Sequence, residues 1–223
     1  KKSAAGIDPV APGRDCDLCP RLVSYRETSR AANDDWHNAP VESFGPLDAK
    51  LLIVGLAPGM KGANRTGRPF TGDYAGDLLY PTLAKFGLSQ GEYHASPDDG
   101  LRLTGCRITN AVRCVPPENK PTGAEAKACR PFLVSEIEAM TNLRGILALG
   151  VVAHNAVLST LGERLAAYKF KHGAVHDLGR TFWFADSYHC SRYNTNTGRL
   201  TEAMFHSVDR KSAVSGKRVD LGG

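Results

Sequence analysis

The chain has 223 residues, 42% of them hydrophobic and 23% charged, with a net charge of +5 and a pI near 8.9. These values exclude a disordered or collagen-like chain, and no apolar run approaches the ~18 residues of a membrane helix. A domain of this size buries a core without covalent staples, so its six cysteines call for another explanation.

No apolar leader core is present, and the reading is a cytoplasmic protein. In reducing surroundings, cysteines at ligand spacing indicate a metal site rather than disulfides. The mild positive charge does not by itself separate a nucleic-acid-binding protein from an ordinary basic one.

Residues 1–13 are small and polar and read as a tail. Cys16 and Cys19 then form a C-x2-C pair between Asp15 and Pro20. Leu51–Val54 is a continuous branched run, as in a strand covered on both faces. A glycine-rich stretch follows, Gly55 to Asp73, but Met60 precedes Lys61 and Gly62 follows it, which excludes a nucleotide phosphate loop. Asp73–Phe86 has Ala75, Leu79, Leu83 and Phe86 on one helical face, with a kink expected at Pro81.

Cys106–Asn110 is a second strand, with Cys114 just beyond it. Thr122 and Glu125 make a capping box that opens a helix towards Met140 and carries Cys129 inward beside Ala126 and Leu133. Gly145–Leu149 is a third strand, Val151–Leu161 a helix, Thr181–Ala185 a fourth strand and Gly198–Val208 a last helix. Residues 210–223 begin as a basic run without periodicity and read as a second tail.

Alternating strands and helices argue for a parallel sheet with helices on both faces, whose ligands lie beyond the strand carboxyl ends. Cys16, Cys19, Cys114 and Cys129 are a set that holds either tetrahedral zinc or an iron–sulfur cubane, and their spacing does not choose between the two. Cys106 is assigned to strand packing, and Cys190 is left over. Two strand ends are rich in polar groups. Asn110 offers a donor and an acceptor together, which suits a base edge. The stretch Asp186 to Arg199 combines His189, Ser191 and Arg192 ahead of a helix start.

Gly55-Leu56-Ala57-Pro58-Gly59, Gly67-Arg68-Pro69-Phe70-Thr71-Gly72-Asp73, Thr109-Asn110-Ala111-Val112-Arg113-Cys114 and Ser187-Tyr188-His189 occur in that order around the four cysteines. Together they resemble the iron–sulfur uracil-DNA glycosylases, in particular the family 5 branch, over residues 14–209. That resemblance implies a single α/β domain, a three-layer sandwich around a four-stranded parallel sheet. It implies a [4Fe–4S] cluster on Cys16, Cys19, Cys114 and Cys129 with a structural role. It also implies DNA as the partner, and excision of uracil, with tolerance for hypoxanthine and xanthine, by a monomer in a bacterial or archaeal nucleoid.

On this reading Gly55, Ala57, Phe70, Asn110 and His189 receive an everted base. Phe70 is the stacking face, and His189 the donor to a base carbonyl. Asn110 contacts the base edge or positions water. Ala57 stands where other superfamily members carry Asp or Asn, so Asp73 is named as the group that orients water, with N-capping as its competing role. Arg65, Ser191, Arg192 and Arg199 are assigned to DNA phosphates and Tyr193 to the gap left by the extruded nucleotide. Many members read His-Pro-Ser where this chain reads His189-Cys190-Ser191. The competing expectations are an iron–sulfur or zinc protein that binds nucleic acid without base chemistry, and an electron carrier.

Overall fold

The computed structural model describes residues 8–198, 200, 201, 203 and 204. Its centre is a sheet built on four parallel strands: β1 (Leu51–Gly55), β4 (Cys106–Asn110), β5 (Gly145–Leu149) and β7 (Trp183–Ser187). A short fifth strand, β6 (Val175–His176), runs antiparallel to β7, giving the order β4-β1-β5-β7-β6. The expected four-stranded sheet is therefore five-stranded. The addition is an edge strand of two residues, too short to show a period in sequence.

β1 explains the layering. Leu51 and Ile53 point to one face, where they pack with Leu79, Tyr80 and Leu83 of α3 (Tyr74–Lys85). Leu52 and Val54 point to the other, against Leu133 of α4 (Gly123–Ala139) and Ala153, Val157 and Leu158 of α5 (Val151–Thr160). All four of these β1 side chains are buried. Alternation at period two thus builds two cores from one continuous apolar run. The result is an α/β three-layer sandwich.

The capping box forms as the sequence predicts: Glu125 N–H donates to Thr122 Oγ1 at 3.2 Å, and Thr122 N–H donates to Glu125 Oε2 at 2.7 Å. Helix α3 runs continuously through Pro81. The fourth parallel strand lies two residues later than expected. A short helix, α6 (Arg192–Asn196), precedes the predicted last helix, and most of Gly198–Val208 lies outside the described residues.

A helix and a hairpin were also not expected. Helix α1 (Pro20–Ala32) starts directly after Cys19, with Pro20 in its first turn, where the missing N–H costs nothing. A separate hairpin pairs β2 (Ser89–Gln90) with β3 (Arg102–Leu103) and frames the intervening segment from Gly91 to Leu101.

Candidate active site

The carboxyl ends of β1, β4 and β7 surround one cavity of about 420 Å³. The turn after β1 contributes Leu56, Ala57, Pro58 and Gly59, and the next loop contributes Phe70 and Asp73. Asn110 enters from the end of β4, and His189, Ser191 and Arg192 from beyond β7. Phe70 and His189 face each other with ring centroids 5.8 Å apart and planes inclined by 29°.

Register explains one glycine. Gly55 pairs with Asn110 across β1 and β4, and a Cβ on Gly55 would lie 2.4 Å from Asn110 Oδ1 and 2.7 Å from the Phe70 ring. Gly55 therefore stands behind Asn110 and Phe70 and is absent from the cavity lining, unlike its expected place against the base. Its contribution is the space that lets both side chains reach the site.

Among the described residues, neither the Asn110 amide nor the His189 imidazole hydrogen-bonds to protein. Burial pushes the His189 pKa down to about 4, so the ring is neutral at ordinary pH and offers one N–H. Asp73 combines two positions. Its Oδ1 caps α3 by accepting from Ala75 N–H at 3.2 Å, and its carboxylate also borders the cavity. Burial raises its pKa, against the hydrogen bonds from the Gly76 and Ala75 N–H groups. A Cβ on Gly62 would fall 2.3 Å from Asp73 Oδ2, so that glycine makes room for the carboxylate.

The residues expected on DNA divide. Ser191 caps α6, accepting from Asn194 N–H at 3.4 Å, and the Arg192 guanidinium lies 5.3 Å above the Tyr74 ring at the cavity rim. Tyr193 is 68% exposed and lies outside the lining. Arg65 lines a neighbouring open groove with Trp36 and His37 instead of the cavity. Arg199 lies outside the described residues. Asn119, unforeseen in the sequence, reaches the cavity from a strained turn in which Glu118 and Asn119 have φ of 55° and 56°. Asn tolerates that left-handed region better than most residues.

The four cysteines come together elsewhere. Cys16, Cys19, Cys114 and Cys129 line one small cavity between α1, the loop after β4, and α4. All four are free thiols. Two ion pairs hold the walls: Arg21 with Glu125, at 2.7 Å, ties α1 to α4, and Arg113 with Glu136, at 2.7 Å, ties the Cys114 loop to α4. Burial pushes the Cys19 thiol up to about 11 and the Cys114 thiol to about 12. No three of these sulfurs lie within 4.8 Å of one another. Buried Arg26 donates to the Cys16 carbonyl at 3.0 Å and places Nη1 3.8 Å from Cys114 Sγ, and its Nε has no partner among the described residues.

A third cluster lies beside β7. Asp186 accepts from His154 Nδ1 and from His176 Nε2, both at 2.7 Å, and from Lys171 N–H at 3.2 Å. His154 Nε2 meets the Tyr168 carbonyl at 2.9 Å. Both ring nitrogens of His154 thus face oxygen acceptors, an arrangement that suits an imidazolium. Burial opposes that charge, but Asp186 and the Tyr168 carbonyl outweigh it and raise the pKa.

Comparison with known proteins agrees with this geometry. The family model of the Uracil DNA glycosylase superfamily matches residues 42–211. The type-5 uracil-DNA glycosylase of Thermus thermophilus is 47% identical over 198 residues, 86% of this chain and 90% of that protein. The type-5 uracil-DNA glycosylase of Pyrobaculum aerophilum is 44% identical over 203 residues, 89% of this chain and 88% of that one. The type-4 uracil-DNA glycosylase of Pyrobaculum aerophilum is 33% identical over 152 residues, covering 68% and 63% of the two chains. A cavity joining a stacking ring, a strand-end amide and a neutral imidazole, in a chain with these similarities, places the protein in the uracil-DNA glycosylase superfamily, among the type-5 enzymes.

Proposed function

We propose that the chain hydrolyses the N-glycosidic bond of a uracil everted from DNA, leaving an abasic site, and that the same cavity admits hypoxanthine and xanthine. One observation carries this reading: Phe70 from the loop after β1, Asn110 from the end of β4 and His189 from beyond β7 line a single cavity of about 420 Å³. A protein that only binds nucleic acid has no use for unpaired donors converging there.

The roles follow from the chemistry. The base stacks on Phe70, a contact of about 1–3 kcal/mol. Bond cleavage leaves positive charge on the sugar and negative charge on the departing base. His189, kept neutral by burial, donates its N–H to a base carbonyl, and that bond strengthens as the oxygen becomes anionic. Asn110 fixes the base edge. Ala57 supplies no polar group to hold water, so Asp73 orients the water while its other oxygen caps α3. Among the described residues the lining contains no lysine, which favours hydrolysis over an imine-forming lyase step. Ser191, Arg192 and Arg65 serve the phosphates, and exposed Tyr193 fills the gap left in the duplex.

Cys16, Cys19, Cys114 and Cys129 suit a [4Fe–4S] cluster. Thiolates sharing one tetrahedral zinc stand about 3.8 Å apart. Those of a cubane would each be held by a separate iron, and the absence of any three sulfurs within 4.8 Å of one another favours the cluster over a single zinc. Arg26 lines the same cavity, with Nη1 3.8 Å from Cys114 Sγ, and would bring positive charge beside an anionic cluster. The group supplies a structural tie between α1, the Cys114 loop and α4. We place the enzyme, as a monomer, in the cytoplasm beside the nucleoid.

The test is an oligonucleotide carrying one uracil, hypoxanthine or xanthine, incubated with the protein, treated with alkali and sized. Breakage at each modified position is the expected result. Breakage at uracil alone would confine the cavity to that base.

A further inference from the structure

Phe70 has a φ of 52°, a left-handed conformation that a bulky aromatic residue rarely adopts. What holds it there is unusual. The carbonyls of Arg68, Pro69, Phe70 and Thr71 receive no main-chain N–H among the described residues, and side-chain hydroxyls take their place. The single hydroxyl hydrogen of Thr66 has the carbonyls of Thr71 at 3.1 Å, Gly62 at 3.2 Å and Arg68 at 3.4 Å within reach, and Tyr80 donates to the Pro69 carbonyl at 2.5 Å. The Phe70 carbonyl accepts from the Tyr93 hydroxyl at 3.3 Å, and that hydroxyl accepts from Gly72 N–H at 3.3 Å.

Among the described residues, Tyr93 is the one donor to these carbonyls that comes from outside residues 66–80. It projects from the segment between β2 and β3, which is otherwise mostly exposed. That segment is fixed by Asp99, whose carboxylate takes both guanidinium nitrogens of Arg68 at 2.7 and 2.8 Å. The Tyr93 ring stacks on Tyr80 with centroids 4.6 Å apart, and the Arg68 guanidinium lies over both rings. Gly76 of α3 leaves space for the bond: a Cβ there would lie 2.0 Å from the Phe70 carbonyl and 2.4 Å from the Tyr93 hydroxyl. Tyr93 itself does not line the cavity.

We propose that Tyr93 is a positioning residue for base capture, bridging Phe70 and Gly72 with its hydroxyl so that the Phe70 ring is presented to the cavity. The inference rests on the reading of Phe70 as the face on which the base stacks. Tyr93 acts through Phe70 and never touches the base.

The experiment is a double-substitution cycle on the full chain. Tyr93→Phe keeps the ring on Tyr80 and under Arg68 and removes only the hydroxyl. Single-turnover excision of uracil is measured at saturating DNA for the wild type, Tyr93→Phe, Phe70→Ala and the double variant, with melting temperatures alongside. Tyr93→Phe is expected to slow excision about tenfold, and to slow it no further once Phe70 is Ala. An unchanged rate for Tyr93→Phe overturns the inference. So does an equal loss in both backgrounds, which is the signature of general destabilisation. If Phe70→Ala excises at the wild-type rate, the stacking role of Phe70 falls and takes the inference with it. Loss in Phe70→Ala with silence in Tyr93→Phe leaves the stacking role standing and removes only the part assigned to Tyr93.

Discussion

Beyond the middle of β7 two histidine sites lie three residues apart, one centred on Asp186 and the other on His189. Around Asp186 the hydrogen-bonding capacity is committed: both oxygens accept, and His154 donates from both nitrogens. Around His189 it is open, with an imidazole and the Asn110 amide facing a cavity that their own protein does not fill. The two sites use the same kinds of residue at similar depth. The first joins α5, the loop at Tyr168 and β6 to the end of the sheet. The second leaves its donors for something that arrives. A histidine beside a carboxylate is thus no sign of chemistry in itself, and what marks a site is polar capacity left unused where a ligand can reach it.

The largest test of that contrast is Asp186→Ala. Removing the shared acceptor strands a buried imidazolium, so a loss of about 3–5 kcal/mol is expected, a drop on the order of 10 °C in melting temperature. A melting curve matching the wild type would show that the cluster holds nothing together. His189→Ala should do the reverse. Uracil excision should fall by about 10²–10³, as for loss of one preorganised donor, with melting nearly unchanged. If excision stays within threefold or so of wild type, the donor to the leaving base is another group.

Asp73→Asn separates the two duties of one residue. Asn caps a helix as well as Asp does, so stability should hold while excision falls at least about tenfold. Equal activity would leave Asp73 as a cap alone. The burial-raised pKa also predicts that the acid limb of the wild-type rate lies above the ordinary Asp value of about 3.9, because the carboxylate must be ionised to orient water.

The smallest effect is one of pH on stability. His154 has a raised pKa in the folded chain, so its contribution is complete below the unfolded value of about 6.5 and is lost as pH rises through the folded one. Denaturation midpoints measured from pH 6 to 9 should decline in the wild type. The decline should be shallower in Asp186→Ala, and parallel slopes would assign it elsewhere.

Much of this was legible in the sequence, for identifiable reasons. Strand β1 is a continuous apolar run with branched residues, and β5 is apolar throughout, as a buried parallel sheet demands, while β4 and β7 turn polar towards their carboxyl ends, where the cavity opens. Phe70, Asn110 and His189 were named from motifs that resemble the family's, and all three line the one cavity. Helix α1 escaped because its buried positions are Leu22, Arg26 and Ser29, a single apolar residue and two polar ones. Those polar groups are satisfied by partners far along the chain: Ser29 donates to Asn38 Oδ1 at 2.6 Å, and Arg26 reaches the cysteine pocket. Asn119 and Tyr93 escaped for a related reason. Each sits in a turn or an exposed segment, and only the fold brings Asn119 to the cavity and the Tyr93 hydroxyl to the Phe70 carbonyl. Gly55 was expected against the base, and only register shows that a Cβ there would strike Asn110 and Phe70.

That glycine has a consequence for anyone who wishes to redirect the enzyme to another lesion. A single added carbon at Gly55 meets the amide and the aromatic ring together, so no graded adjustment is available from that side. Ala57 lines the cavity itself, so a larger or polar group there changes the shape offered to a base. Libraries aimed at new damaged bases therefore belong on the front of the turn and should leave its rear invariant.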